Sequence, residues 1–243
     1  MNKKVSVTIN GKVCEAVKDQ SVLSVARENG IHIPSLCHHP EVASSGGSCR
    51  VCLVEAHQGG GMRVVTSCNY PVREGLEIKT DTDLVKKIRR GILELLLSRV
   101  PESDVVRALA AADGITETRF FTDGGRERME KCIACGLCTL VCEEVVGVSA
   151  IAMMNRGRDK RPGTPYGKES NACIGCGACA YVCPTGAISL KEIKDTREIW
   201  GRKFKMIRCA VCGRPHIPEA QAEWIVKTTG KDRSFFDKCA DHR

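Results

Sequence analysis

Cys132-Ile133-Ala134-Cys135-Gly136-Leu137-Cys138-Thr139-Leu140-Val141-Cys142 is followed, some forty residues on, by Cys173-Ile174-Gly175-Cys176-Gly177-Ala178-Cys179-Ala180-Tyr181-Val182-Cys183-Pro184. Both copies space their thiols as C-x2-C-x2-C-x3-C. Three thiolates this close wrap one cubane, and in a paired run the fourth crosses over to ligate the other cluster. The spacing therefore predicts one [4Fe–4S] cluster on Cys132, Cys135, Cys138 and Cys183, and a second on Cys173, Cys176, Cys179 and Cys142. Ala134, Gly136, Gly175, Gly177 and Ala178 are small enough for backbone amides to approach the sulfurs and tune potential. Zinc and disulfides are the competing readings.

Outward from this repeat, the whole chain is rich in thiols, with sixteen cysteines in 243 residues. No charged, apolar, small-residue leader opens it, so a reducing, cytoplasmic location is expected, where such a chain binds metal rather than forming disulfides. No apolar run is long enough to span a bilayer, so no direct membrane span is expected. Aromatic residues are only 4%, which is thin for a conventional core and favours metal staples. The formal charge of +8 would ordinarily point to nucleic acid. Three clusters with their thiolates would remove about six units, so the basic residues read as solvated surface or docking rims. No nucleic-acid partner is expected.

Before the repeat, Val5, Val7 and Ile9 alternate with polar residues, Asn10-Gly11 offers a hairpin turn, and Lys12 to Val17 returns. Asp19 or Ser21 can cap a short helix over Val22, Val25 and Ala26 that Gly30 closes. Strands near 51–56, 62–67 and 76–80 follow, with Gly59-Gly60-Gly61 as a turn rather than a phosphate loop. From Thr82 the period becomes helical, with Leu84, Ile88, Ile92, Leu95 and Leu96 on one face and Pro101 at the end. A second helix runs from Asp104 to Ala112. The resulting fold class is α+β in four parts. Residues 1–80 form a compact ferredoxin-like module, of β-grasp type where its thiols hold a [2Fe–2S] cluster, and 81–128 a helical spacer. A two-cluster [4Fe–4S] domain covers 129–195, and a small zinc-ribbon-like, metal-binding tail covers 196–243.

Two further thiol groups flank the repeat. Cys37-x11-Cys49-x2-Cys52-x15-Cys68 suits a [2Fe–2S] cluster, although a bare C-x2-C is also half of a zinc site. In the tail, Cys209-x2-Cys212-Gly213 and Cys239-x2-His242 match a zinc site of three cysteines and one histidine. A cluster with one histidine ligand, or unligated thiols, are the alternatives there. Cys14 has no partner in spacing and reads as a small buried apolar residue. His38 and His39 read as partly exposed loop histidines.

The repeats resemble bacterial two-cluster ferredoxins, with Glu143 after Cys142 where proline is common and an insertion over 143–172. The larger likeness rests on Ile33-Pro34-Ser35-Leu36-Cys37-His38-His39-Pro40, Gly47-Ser48-Cys49-Arg50-Val51-Cys52-Leu53-Val54-Glu55 and Ser67-Cys68-Asn69. Glu74-Gly75-Leu76 and Arg90-Gly91-Ile92-Leu93-Glu94-Leu95-Leu96-Leu97-Ser98 continue it. Over residues 1 to about 190 the chain is similar to the iron–sulfur subunit of respiratory NADH dehydrogenase and of NAD-linked soluble hydrogenases and formate dehydrogenases. That resemblance implies a [2Fe–2S] cluster on Cys37, Cys49, Cys52 and Cys68, and electron transfer between a flavin-containing NAD(P)H-binding subunit and a second redox module of hydrogenase or formate dehydrogenase type. Ferredoxin is a further candidate partner. Where the family carries a cluster on one histidine and three cysteines, this chain reads Val100-Pro101-Glu102-Ser103-Asp104, so that cluster is expected to be absent.

The reading is an electron-transfer subunit of a multisubunit oxidoreductase with no catalytic residues and no substrate site of its own. A redox-sensing or scaffold protein, and a free-standing ferredoxin-type carrier, are the rivals. A sensor needs one labile site, whereas three linked clusters favour conduction.

Overall fold

The computed structural model describes residues 3–42, 46–120 and 131–243. The chain divides into two compact units, Met1–Cys135 and Gly136–Arg243.

In the first unit the alternating residues near the N-terminus form β1 (Lys4–Ile9) and β2 (Lys12–Val17), joined through Asn10 and Gly11, both at positive φ. The Asn10 carboxamide also ties this turn to the chain leaving the neighbouring strand: it donates to Thr80 Oγ1 at 2.8 Å and accepts from Thr80 N at 2.9 Å. Ser21 caps α1 (Val22–Glu28) by accepting from Ser24 N, which settles the choice between the two expected caps. The strands β3 (Leu53–Gln58), β4 (Gly61–Thr66) and β5 (Leu76–Lys79) complete a five-stranded sheet in the order β2-β1-β5-β3-β4. The β1–β5 pair is parallel and the other pairs are antiparallel. Val22, Leu23, Val25 and Ala26 of α1 are buried in one cluster with Val7, Ile9, Leu76 and Ile78 of the sheet, and Cys14 lies in the same core, 1% exposed.

The helices α2 (Asp83–Arg99) and α3 (Asp104–Ala112) start at Thr82 and Ser103, each accepting from a backbone N–H of its first turn. The buried face of α2 is not the expected one. Val85, Arg89, Leu93, Leu96 and Leu97 point inward, whereas Leu84 is 40% and Leu95 53% exposed. Arg89 occupies a core position because three carbonyls await its guanidinium, those of Val51 (3.3 Å), Leu53 (3.1 Å) and Thr80 (3.0 Å). A pattern that counts arginine as polar surface places the stripe one residue off.

The helical stretch is more than a spacer. Its apolar face forms a second core with Leu36, Cys37, Cys49 and Val51 on one side and Ile133 on the other, and Cys135 packs against it.

The second unit opens with α4 (Leu137–Leu140), continued by one π turn over Val141–Val145. A two-stranded ribbon of β6 (Ala152–Met154) and β7 (Arg161–Gly163) occupies the insertion between the repeats, and α5 (Ala178–Tyr181) follows the second run of cysteines. The tail carries β8 (Leu190–Ile193), β9 (Thr196–Ile199), β10 (Arg202–Arg208) and β11 (Pro215–Pro218) in an antiparallel sheet, β11-β10-β9-β8. Helix α6 (Glu219–Thr229) packs on it. A sheet and a helix therefore stand where a small ribbon was expected. The expected boundary between 195 and 196 falls in the β8–β9 turn, and the one between 128 and 129 lies outside the described residues.

Candidate metal centres

Cys37 follows α1, Cys49 and Cys52 lie in the loop entering β3, and Cys68 follows β4. All four are buried. Cys49 N donates to Cys37 Sγ at 3.3 Å. The titration of Cys49 is shifted by Cys37, that of Cys68 by Cys37 and Cys52, and that of Cys52 by Cys68, so the four thiols act on one another as one group. Hydrogen bonding to Cys68 holds the Cys52 thiol down to about 6, while sharing protons with Cys37 pushes Cys49 and Cys68 up. Ser67 is fully buried, and its hydroxyl finds no partner beyond the neighbouring Cys52 sulfur. Buried soft donors with a buried hydroxyl beside one sulfur fit a thiolate-held iron cluster. His38, half-buried beside this site, lies 3.1 Å from Arg27, and burial and that cation hold it below the usual imidazole range.

Cys132 and Cys135 end the first unit, and Arg99 Nε donates to the Cys132 carbonyl at 3.0 Å. Cys138 lies in α4 and Cys183 follows α5, both in the second unit. Ala134 N donates to Cys132 Sγ at 3.4 Å and Ala187 N to Cys183 Sγ at 3.3 Å.

Cys142 sits in the π turn, where Ala150 N donates to its sulfur at 3.2 Å. It lines one apolar cavity together with Cys173, Cys176 and Cys179. Burial raises the thiols of Cys173 and Cys176 and pushes Cys179 up to about 12. An apolar cavity that penalises thiolate charge this strongly calls for a cationic core to offset it, which iron supplies.

Around this cavity the structure shows side chains that reading the cysteines alone does not find. Arg202 donates to the carbonyls of Ser170 (3.0 Å), Asn171 (3.1 Å) and Cys173 (2.9 Å). Arg197 donates to those of Gly175 (3.0 Å) and Cys176 (3.2 Å). The indole N–H of Trp200 points at Cys179 Sγ, 3.4 Å away. Gly175 has φ +70°, and a Cβ there would lie 2.6 Å from the ring of Phe204. The sheet of the tail thus grips the loop of the second repeat. The dipeptide Trp200-Gly201, both at positive φ, was the available signal, since X-Gly between two alternating runs marks a hairpin.

In the tail, Cys209 and Cys212 form a knuckle after β10, with Gly213 N donating to Cys209 O at 2.8 Å. Cys239 caps the short helical turn Ala240–His242, and His242 ends it. The three sulfurs and one imidazole nitrogen lie within 4.8 Å of one another. Cys239 N donates to Cys209 Sγ at 3.3 Å and holds that thiol down to about 5. Cys239 Sγ and His242 Nδ1 are 3.1 Å apart, which lowers the thiol and raises the imidazole. Thiolate-favouring geometry around a compact three-sulfur, one-nitrogen set fits a closed tetrahedral metal.

Residues 2–83 match the family of 2Fe-2S iron-sulfur cluster binding domains, and residues 131–187 and 172–215 match the 4Fe-4S dicluster domain. The NADH-ubiquinone oxidoreductase 75 kDa subunit of Reclinomonas americana is 33% identical over 81% of this chain and 31% of its own length. The NADPH-Fe(3+) oxidoreductase subunit alpha of Geobacter sulfurreducens is 32% identical over 86% of this chain and 26% of its own. The chain thus spans about a third or less of these curated relatives. A crystal structure of NAD+-reducing [NiFe]-hydrogenase in the H2-reduced state contains a chain with a TM-score of 0.64 and 28% identity. That match covers 75% of this chain and 85% of the other.

Proposed function

The chain is related to the iron–sulfur subunits of NADH dehydrogenases and of an NAD+-reducing hydrogenase, and from that kinship we propose that it relays electrons inside a multisubunit, nicotinamide-linked oxidoreductase. Cys37, Cys49, Cys52 and Cys68 hold a [2Fe–2S] cluster. Cys132, Cys135, Cys138 and Cys183 hold one [4Fe–4S] cluster by the crossed pattern of the repeat, and Cys142, Cys173, Cys176 and Cys179 hold the other. The clusters supply one-electron transfer; the residues around them exclude water, fix the sulfurs and direct N–H groups at them. The observation that carries the reading is the second core of the first unit, which holds Cys37 and Cys49 and has Cys135 packed against it. Two cluster motifs on one rigid apolar wall suit conduction better than sensing. A flavin-containing NAD(P)H-binding subunit is the natural donor or acceptor on one side and a hydrogenase or formate dehydrogenase module on the other. The cytoplasm is the proposed location, and no helix among the described residues is long and apolar enough to cross a membrane.

Anaerobically prepared protein should contain about ten irons and accept about three electrons per chain, with no loss of iron on cycling. Two irons or fewer, or iron released on reduction, would overturn the relay in favour of a single labile site.

For Cys209, Cys212, Cys239 and His242 the proposed occupant is zinc, which closes the tail without redox chemistry. Cys212→Ser is then expected to lose the zinc and loosen the tail while accepting as many electrons as the parent. One electron fewer in a reductive titration would show a fourth cluster there instead.

A further inference from the structure

Trp200 is a bulky residue at φ +54°, in a turn position that asparagine, aspartate or glycine fills without strain. Strain of this kind persists only where surrounding contacts hold it, and such positions gather at functional sites. Here the contacts are visible. The indole lines the cavity of Cys142, Cys173, Cys176 and Cys179, and its Nε1 lies 3.4 Å from Cys179 Sγ. The two strands that leave the turn are each pinned to the same loop, β9 through Arg197 and β10 through Arg202. Phe204 closes on Gly175 from the same sheet. The indole is thus held against the sulfur from both sides of its own turn.

We infer that Trp200 is the positioning residue that sets the reduction potential of this cluster, by donating its indole N–H to the Cys179 thiolate. The inference rests on the assignment of a [4Fe–4S] cluster to these four cysteines. Reduction adds one electron and no proton, and the indole proton stays on its nitrogen. Negative charge on the ligand sulfurs grows with that electron, so a fixed N–H donor stabilises the reduced form more than the oxidised one. Trp200 therefore raises the potential of its cluster above that of an otherwise equal site.

Trp200→Phe keeps a ring over the cavity and removes the proton. In the intact holoprotein, with chemical mediators and paramagnetic resonance as the readout, one [4Fe–4S] potential should fall. The expected shift is about tenfold in the reduction equilibrium, about 59 mV for a one-electron couple. The other two potentials should stay where they are. An unchanged potential at full iron content overturns the inference, as does an equal fall in all three. Should the variant fail to retain its iron, the wild type decides. Tryptophan labelled with ¹⁵N at the indole should show nitrogen hyperfine coupling to one reduced [4Fe–4S] cluster, and no coupling rejects the hydrogen bond. Failure of the underlying cluster assignment looks different: the unlabelled wild type then lacks the second [4Fe–4S] signal altogether.

Discussion

Cys142→Ala is expected to remove about four of about ten irons per chain and to abolish the signal of the cluster on Cys173, Cys176 and Cys179. The loss falls on a cluster whose other ligands lie thirty or so residues further along, because Cys142 lines their cavity. The π turn over Val141–Val145 explains how it gets there. Widening the helix by one residue places the Cys142 thiol beside Ala150 N, 3.2 Å away, rather than in register with the α-helical turn before it. Without that thiolate the cavity holds three sulfurs whose burial already disfavours their charged form. Three thiolates in such an apolar site retain a cluster poorly. Metal analysis and paramagnetic resonance of the reduced variant test this together. If the signal lost is instead that of the cluster on Cys132, Cys135 and Cys138, the crossed ligation is wrong.

Arg89→Met is the second large effect. The guanidinium is buried, satisfies three carbonyls and lies 3.6 Å from Asp81. Methionine fills much of the same volume and leaves Val51, Leu53 and Thr80 without donors. Asp81 is 59% exposed, so the cost comes from the carbonyls: a buried acceptor left unsatisfied costs about 1–3 kcal/mol, and three of them are at stake. Set against a typical domain stability of about 5–15 kcal/mol, that is a large share. Because Val51 lies between Cys49 and Cys52, the same change should also cost the chain about two irons, those of the [2Fe–2S] cluster. A denaturation midpoint equivalent to less than about 1 kcal/mol of change, with iron content intact, would show that water satisfies these carbonyls and that Arg89 is dispensable.

The sequence exposes most of this molecule because its punctuation is strong. Asn10-Gly11, Ser21, Thr82 and Ser103 each fix a turn or a helix start through local chemistry, and the structure has a turn or cap at every one. The cysteine groups are legible for a related reason: spacing within a short loop already limits which sulfurs can meet. What stayed hidden depends on contacts between distant segments. Arg89 reads as surface until three carbonyls, from β3, its approach and the residue after β5, surround it. Arg197, Trp200 and Arg202 lie in what reads as a separate tail, and nothing local to them announces that they bind residues 170–179. The sheet of the tail is hard to read locally because its strands are short and interleave charged with apolar residues. Only the two ligand pairs stood out, and the helix between them did not.

The grip of the tail on the second repeat has a consequence for how the two cysteine runs may be exchanged. They look like copies, yet Ala134 stands where the later run has Gly175. Any side-chain carbon at that later position would meet the ring of Phe204 at 2.6 Å. At Gly177 a Cβ would meet only the tip of Leu190, Cδ1 at 2.7 Å, and the earlier run has Gly136 in the same place. A graft of 132–142 into the place of 173–183 would carry every thiol required and still not seat, because one methyl group stands in the way. The opposite graft fails for the converse reason: Ala178 would stand where Leu137 is 1% exposed and would leave a void. Symmetry in the ligands thus coexists with two moulds, each cast for its own copy.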